Sequence, residues 1–207
     1  MSFFGKLLKS ARRRVFGRPK VGPRLRAGLL RIHEVLATTP LAGKFWINGG
    51  LLLGYAREGQ PLAHDDDADF SVWEHDIPAL LAALPALHAA GFQKYRRYTN
   101  NAGHTTTWCL SYRDVHFEFF EMQPAGEFMQ WYCYGGKPVE ELLNHCPMHG
   151  LEEFEFVGRT WLKPDDHEGY LAALYGDWRT PHPNYKYYRD SRAIIARQPW
   201  TGGHVWQ

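Results

Sequence analysis

The chain has 207 residues, 44% apolar and 15% aromatic, enough for one packed domain with a small appendage. No apolar run reaches about 18 residues, which excludes a membrane-spanning helix. Three cysteines (Cys109, Cys133, Cys146) are an odd count without framework spacing, which argues against a disulfide scaffold and for a reducing, cytoplasmic setting. The net charge of +2 is unevenly spread. Residues 1–26 hold nine basic side chains and no acid, and the remainder holds fifteen basic against 22 acidic, a formal −7.

The arm, MSFFGKLLKSARRRVFGRPK, can form an amphipathic helix. Phe3, Phe4, Leu7 and Leu8 then share one face, with Lys and Arg opposite. Such a helix suits the surface of an anionic membrane, so residues 1–20 are a candidate peripheral membrane contact. A frayed basic tail, or a helix docked on the body, is the alternative. No apolar segment follows the charges, so a signal peptide is not expected. Residues 23–38 carry apolar side chains at helical spacing after Pro23. KFWIN (44–48) reads as a strand ended by Gly49-Gly50, and LLLGYAREG (51–59) as a short helix. DADFSVW (67–73) alternates like a strand. DIPALLAALPALHAAG (76–91) is helical, with Asp76 as N-cap and Gly91 as its stop.

Beyond Gly91 the period shifts towards two. FQKYRRYT (92–99) and HTTTWCLSY (104–112) read as paired strands around a turn, followed by VHFEFFEMQ (115–123) and EFMQWYCY (127–134). Residues 135–150 read as irregular, LEEFEFVG (151–158) as a late strand, and DDHEGYLAALYG (165–176) as a helix. The order implies an α+β chain with a mixed sheet and flanking helices. Three segments follow: a basic arm (1–22), a catalytic body (23–181), and a Pro- and aromatic-rich tail (182–207) packed on the body.

DDDAD places four carboxylates in five residues. Strand alternation lets Asp65, Asp67 and Asp69 share one side, with Asp66 and Ala68 opposite. A row of acids facing one way is an oxygen-rich site for a hard cation, Mg2+ or Mn2+. A solvated acidic loop is the plain alternative. A calcium loop is disfavoured, because its sixth position requires Gly and here holds Phe70. Glu118, mid-strand in VHFEFFEM, can face the aspartates if its strand pairs beside theirs; otherwise it is an ordinary strand residue. Asp67, Asp69 and Glu118 are therefore the candidate catalytic acids, and Asp65, Asp67 and Asp69 the candidate metal ligands. Gly49 and Gly50 open a helix whose N-terminus can approach a phosphate, and Arg57 can clamp it or simply pair with a surface acid.

The ordered set Gly49, Gly50, Gly54, Arg57, Asp65, Asp66, Asp67 and Asp69 resembles the LicD/fukutin family of the nucleotidyltransferase superfamily. FEFFEM is similar to the family's third-acid strand, with Glu118 where an aspartate is usual. PDDHEGYLAALYGDWRTP (164–181) is similar to its C-terminal signature. The resemblance covers residues 45–181. It implies a nucleotidyltransferase-like mixed sheet and transfer of a phospho-alcohol, such as phosphocholine or ribitol phosphate, from a CDP-linked donor to a glycan or lipid-linked glycan hydroxyl with release of CMP. The alternatives are a conventional nucleotidyltransferase that expels pyrophosphate from an NTP, and a non-catalytic nucleotide- or metal-binding module. No nucleic-acid partner is expected. The expected place is the cytoplasm, at the inner membrane face where the arm engages it.

Cys133, His145, Cys146 and His149 have atom types suited to zinc, though no CxxC pair exists; buried thiols and loop histidines are the simpler reading. Tyr95, Arg96, Arg97 and Tyr98 can grip a nucleotide or polymer, or form a strand with snorkelling cations. The tail aromatics Trp178, Tyr185, Tyr187 and Tyr188 can stack on a sugar or base, or pack.

Overall fold

The computed structural model of the protein describes residues 21–63 and 65–203. The basic arm expected at 1–20 as a membrane contact lies outside the described residues. Helix α1 (Val21–Leu36) leads through a turn to β1 (Phe45–Ile47), α2 (Gly49–Glu58) and β2 (Asp67–Trp73). A 3-10 turn at Glu74–Asp76 opens α3 (Ile77–Ala89). Strands β3 (Gln93–Thr99), β4 (Thr105–Tyr112), β5 (Val115–Ala125), β6 (Phe128–Gly135) and β7 (Glu140–Pro147) follow. A hairpin of β8 (Leu151–Phe156) and β9 (Arg159–Pro164) precedes α4 (His167–Tyr175), the single-turn α5 (Tyr187–Asp190) and β10 (Ile194–Pro199).

The fold is α+β with a large mixed sheet. Its strands run β1-β2-β5-β6-β7-β10, and the β3–β4 hairpin joins through β4 to β5. β2 and β5 are parallel, whereas the other pairs are antiparallel. Alternation in β2 explains its two faces. Ala68, Phe70 and Val72 are fully buried, and Asp67 and Asp69 point the other way. The buried side meets α1 and α3 through Leu25, Leu29, Ile32, Leu80, Ala83 and Leu87. Phe70 stacks on Phe119 at 5.2 Å and on Trp161 at 5.8 Å, which locks β2, β5 and β9 together.

Three expectations change. Residues 135–150, expected irregular, contain β7. Its inward positions are Leu142, Asn144 and Cys146, and the polar Asn144 hides the alternation. That buried amide is satisfied by the carbonyls of Trp131 and Leu142 and by the Tyr187 hydroxyl. The tail is more than a packed coil, since β10 pairs antiparallel with β7. β10 is nearly all exposed and is held by backbone bonds, so it has no apolar face to announce it. The helix after Gly-Gly begins at Gly49, two residues early, because Asn48 caps it with its side-chain oxygen on the Gly49 N–H, 2.6 Å.

No helix among the described residues is long and apolar enough to cross a membrane.

Candidate active site

Two elements bring the acids together. In the β2–β5 register Asp69 lies opposite Glu118 and Asp67 opposite His116. The row continues across the sheet, from Glu118 to Cys109 on β4 and from Cys109 to Arg96 on β3. Asp69, Glu118, Cys109 and Arg96 thus form one rung across four strands, on the face away from α1 and α3.

Helix α2 points its N-terminus at this rung. The Gly50 N–H donates to Asp69 Oδ2 at 3.2 Å. A Cβ at Gly49 would sit 2.2 Å from Asp69 Oδ2, and one at Gly50 would sit 2.9 Å from Asp65 Oδ2. Gly49 also has φ +52, a left-handed backbone that favours glycine. The two glycines therefore form the floor on which Asp65 and Asp69 rest. Asp65 precedes the strand but still reaches the helix N-terminus. Asp66 is exposed, and its carbonyl accepts from the His116 N–H at 3.1 Å. The alternation that separated Asp66 from the other three therefore matches their placement.

Asn48 fixes this corner. Its amide donates to Ser71 Oγ at 2.8 Å, its backbone N–H donates to the Asp69 carbonyl at 2.9 Å, and its Oδ1 accepts from the Gly49 N–H and the buried Tyr170 hydroxyl. Tyr170 comes from α4, more than a hundred residues away, so α4 is tied to the residue that caps α2. Asn48, Ser71, Tyr170 and Cys109 carry no site role in the sequence, and Arg96 enters it only within a run able to grip a nucleotide or polymer. Asn48 had a usable signal, a capping residue directly before Gly-Gly.

The electrostatics are unfavourable as the carboxylates stand. Burial, and then the charges of Asp67 and Glu118, hold the Asp69 carboxyl well above its ordinary value; the Gly50 N–H opposes the rise. Burial and then Asp67 push Glu118 up to about 7, with Cys109 and Arg96 pulling it back. Asp67 is raised by burial and by Asp66, with His116 opposing. Among the described residues no three His, Cys, Asp or Glu side chains are gathered into a ready-made metal cage. The donor chemistry nonetheless fits a hard divalent cation. Asp65, Asp67, Asp69 and Glu118 offer only carboxylate oxygens, and a cation would relieve their mutual repulsion.

Arg57 is placed elsewhere. It lies about 12 Å along α2 from Gly49 by helix rise. Its Nε donates to the Trp178 carbonyl, and its Nη2 to the Thr180 carbonyl at 3.1 Å. The structure gives it to the 177–181 segment and not to the carboxylates. The four zinc candidates are not assembled either. Cys133 pairs with Leu142 and Cys146 with Met129, which puts the thiols four rungs apart, about 13 Å. Burial pushes both thiols up to about 12, and the His149 Nδ1 engages the Pro147 carbonyl at 3.2 Å. Tyr98 stacks on Tyr134 at 5.1 Å and takes a hydrogen bond from Arg96 at 2.5 Å. Among the later aromatics, Trp178 is buried and Tyr185 packs at a tilt against Tyr175 at 5.1 Å.

Comparison with known proteins adds two findings. A family model described as LicD/FKTN/FKRP, nucleotidyltransferase domain, matches residues 43–166. That stretch holds the glycine pair, the aspartates and Glu118, and it ends at the cap of α4. A protein of Rickettsia prowazekii (strain Madrid E), named "Uncharacterized protein RP689", is 26% identical over 147 residues, 70% of this chain and 52% of the relative. The chain spans about half the length of the curated relative it matches.

Proposed function

The chain belongs to the LicD/FKTN/FKRP family, and on that premise we propose that it is a metal-dependent transferase that moves a phospho-alcohol from a CDP-linked donor to a glycan hydroxyl and releases CMP. The observation that carries this reading is the Asp69–Glu118 rung set against the N-terminus of α2. Four buried or half-buried carboxylates at one helix start are hard to explain as packing. They make sense as a site completed by cation and phosphate.

Asp65, Asp67 and Asp69 would hold Mg2+ or Mn2+. When bound, the cation would neutralise phosphate charge and polarise the bond to the leaving group. Glu118, on the same rung as Asp69, would take the proton of an acceptor hydroxyl. Gly49 and Gly50 leave room for an oxygen-rich ligand against the backbone, and the α2 dipole favours its negative charge. Arg96, at the far end of the rung, pulls the Glu118 carboxyl down and would offer positive charge to a second phosphate oxygen.

The "nucleotidyltransferase domain" in the family description favours one second reading, attack on the α-phosphorus of an NTP with loss of pyrophosphate. Products separate the two. The chain is incubated with CDP-choline, CDP-ribitol or each NTP, with Mg2+ or Mn2+ and a glycan acceptor. CMP release that depends on both cation and acceptor supports the first reading. Pyrophosphate release supports the second, and no product from any donor in the presence of cation would refute both.

A further inference from the structure

A second cavity, of about 200 Å3, lies between α3 and the β3–β4 hairpin. Its lining is Leu81, Leu84, Trp108, Cys109 and Leu110 with the cations Lys94, Arg96 and Arg97, and no acidic residue lines it. A register shift between Lys94 and Arg96 brings Arg96 to the carboxylate rung while it still borders the cavity. Arg96 pairs with Cys109 and joins the carboxylate rung, whereas Lys94 and Arg97 pair with Leu110 and Trp108 on the other face. Two donors of this wall, Arg97 Nε and Trp108 Nε1, are buried without a hydrogen-bond partner. Trp108 is only 5% exposed. Buried donors left unmet are rare and unfavourable.

Water alone would answer the donors but not the charge. Three cations, Lys94, Arg96 and Arg97, line a space with an apolar floor, and no carboxylate of the lining balances them. An anion with several acceptor oxygens satisfies the donors, and an apolar group attached to it covers the leucines. The volume equals roughly seven water molecules, room for a phosphate and a short chain. We propose that this cavity, which no carboxylate lines, binds a phosphate monoester bearing a small apolar group. Two sources share that chemistry, a soluble phosphoester and a lipid with a terminal phosphate.

The test uses the full chain and hexyl phosphate, with hexanol and inorganic phosphate as controls. Hexyl phosphate is expected to raise the thermal midpoint saturably and to bind about tenfold more tightly than either control. Arg97→Gln should weaken it about tenfold, and Asp67→Asn should leave it unchanged. If Arg97→Gln does not fold, Leu84→Trp, which fills the cavity, must abolish the response while the probe-free midpoint is kept. Equal binding by the wild-type chain and these two cavity variants, or loss of binding in Asp67→Asn alone, would overturn the proposal. Given the expected response, co-sedimentation with phosphatidic acid vesicles names the source. Binding that falls in Arg97→Gln identifies a lipid phosphate, and binding indifferent to Arg97 identifies a soluble phosphoester.

Discussion

Asp69 and Glu118 stand on the same rung of the parallel β2–β5 ladder, two acids on adjacent strands about 4.8 Å apart. The Gly50 N–H donates to Asp69 Oδ2, but burial and the neighbouring Asp67 charge hold both carboxyls above their ordinary values. Neutralising one acid should therefore stabilise the metal-free chain while disabling it. Asp69→Asn and Glu118→Gln are each expected to raise the thermal midpoint by a few degrees. Turnover should fall by at least about a hundredfold. Calorimetry and product assay on the same preparations check both, and a variant that loses midpoint would contradict the repulsion argument.

The same rung sets a pH dependence. Glu118 titrates near its ordinary 4.5 when unfolded and at about 7 when folded. Between those values the folded chain holds more protons, so stability falls as pH rises from about 4.5 to about 7. Asp67 and Asp69, also raised, add in the same direction. Metal-free chain should thus melt at a higher temperature at pH 5.5 than at pH 7.5. Glu118→Gln should flatten the slope. A midpoint that climbs with pH across this window would show that the carboxylates are well compensated after all.

Gly49 and Gly50 are adjacent but should respond differently to alanine. At Gly49 the positive φ and a 2.2 Å approach to Asp69 Oδ2 combine, and Asp69 is fixed by the sheet. Gly49→Ala should cost about 1–3 kcal/mol and abolish turnover. At Gly50 the nearest atom is the end of the Asp65 side chain, which precedes the strand and can swing away. Gly50→Ala should cost less than about 1 kcal/mol yet still impair turnover, because it displaces a candidate ligand. Denaturant melts beside initial rates read the contrast.

How much of this was legible in sequence follows the strength of local patterns. β2 matched its expected bounds, because Ala68, Phe70 and Val72 alternate with polar neighbours without a break. Glu118 could be placed beside the aspartates only conditionally, since parallel register depends on a crossover that no local signal encodes. β7 and β10 were missed for opposite reasons: one buries an asparagine, and the other buries almost nothing. The roles of Tyr170 and Arg57 were hidden because both depend on contacts across more than a hundred residues.

Tyr170 offers a direct check of that long-range support. It is 2% exposed, and its hydroxyl donates to Asn48 Oδ1. Tyr170→Phe removes one buried hydrogen bond and little volume, so the loss should be about 1 kcal/mol. Asn48 keeps its bond to the Gly49 N–H, so α2 should still form. The carboxylate corner would loosen, and the rate should fall several-fold while cation affinity changes little. A rate equal to wild type would separate α4 from the site.

Arg57 distinguishes a ligand clamp from a structural tie. A phosphate clamp would be lost in Arg57→Gln as a large rise in donor KM with stability unchanged. The geometry points the other way, because Nε and Nη2 hold the carbonyls of Trp178 and Thr180 and so dock the 177–181 segment against α2. The Trp178 side chain of that segment is buried, so releasing the segment exposes apolar surface as well as two carbonyls. Arg57→Gln is therefore expected to lower stability by about 2 kcal/mol. Donor KM should stay within about twofold, since uniform binding to the donor is untouched. Arg57→Lys should recover little, because one ammonium cannot span two carbonyls with the planar fork of a guanidinium. Denaturant melts and a KM series on the three chains decide it, and a KM rise without a stability loss would return Arg57 to the substrate.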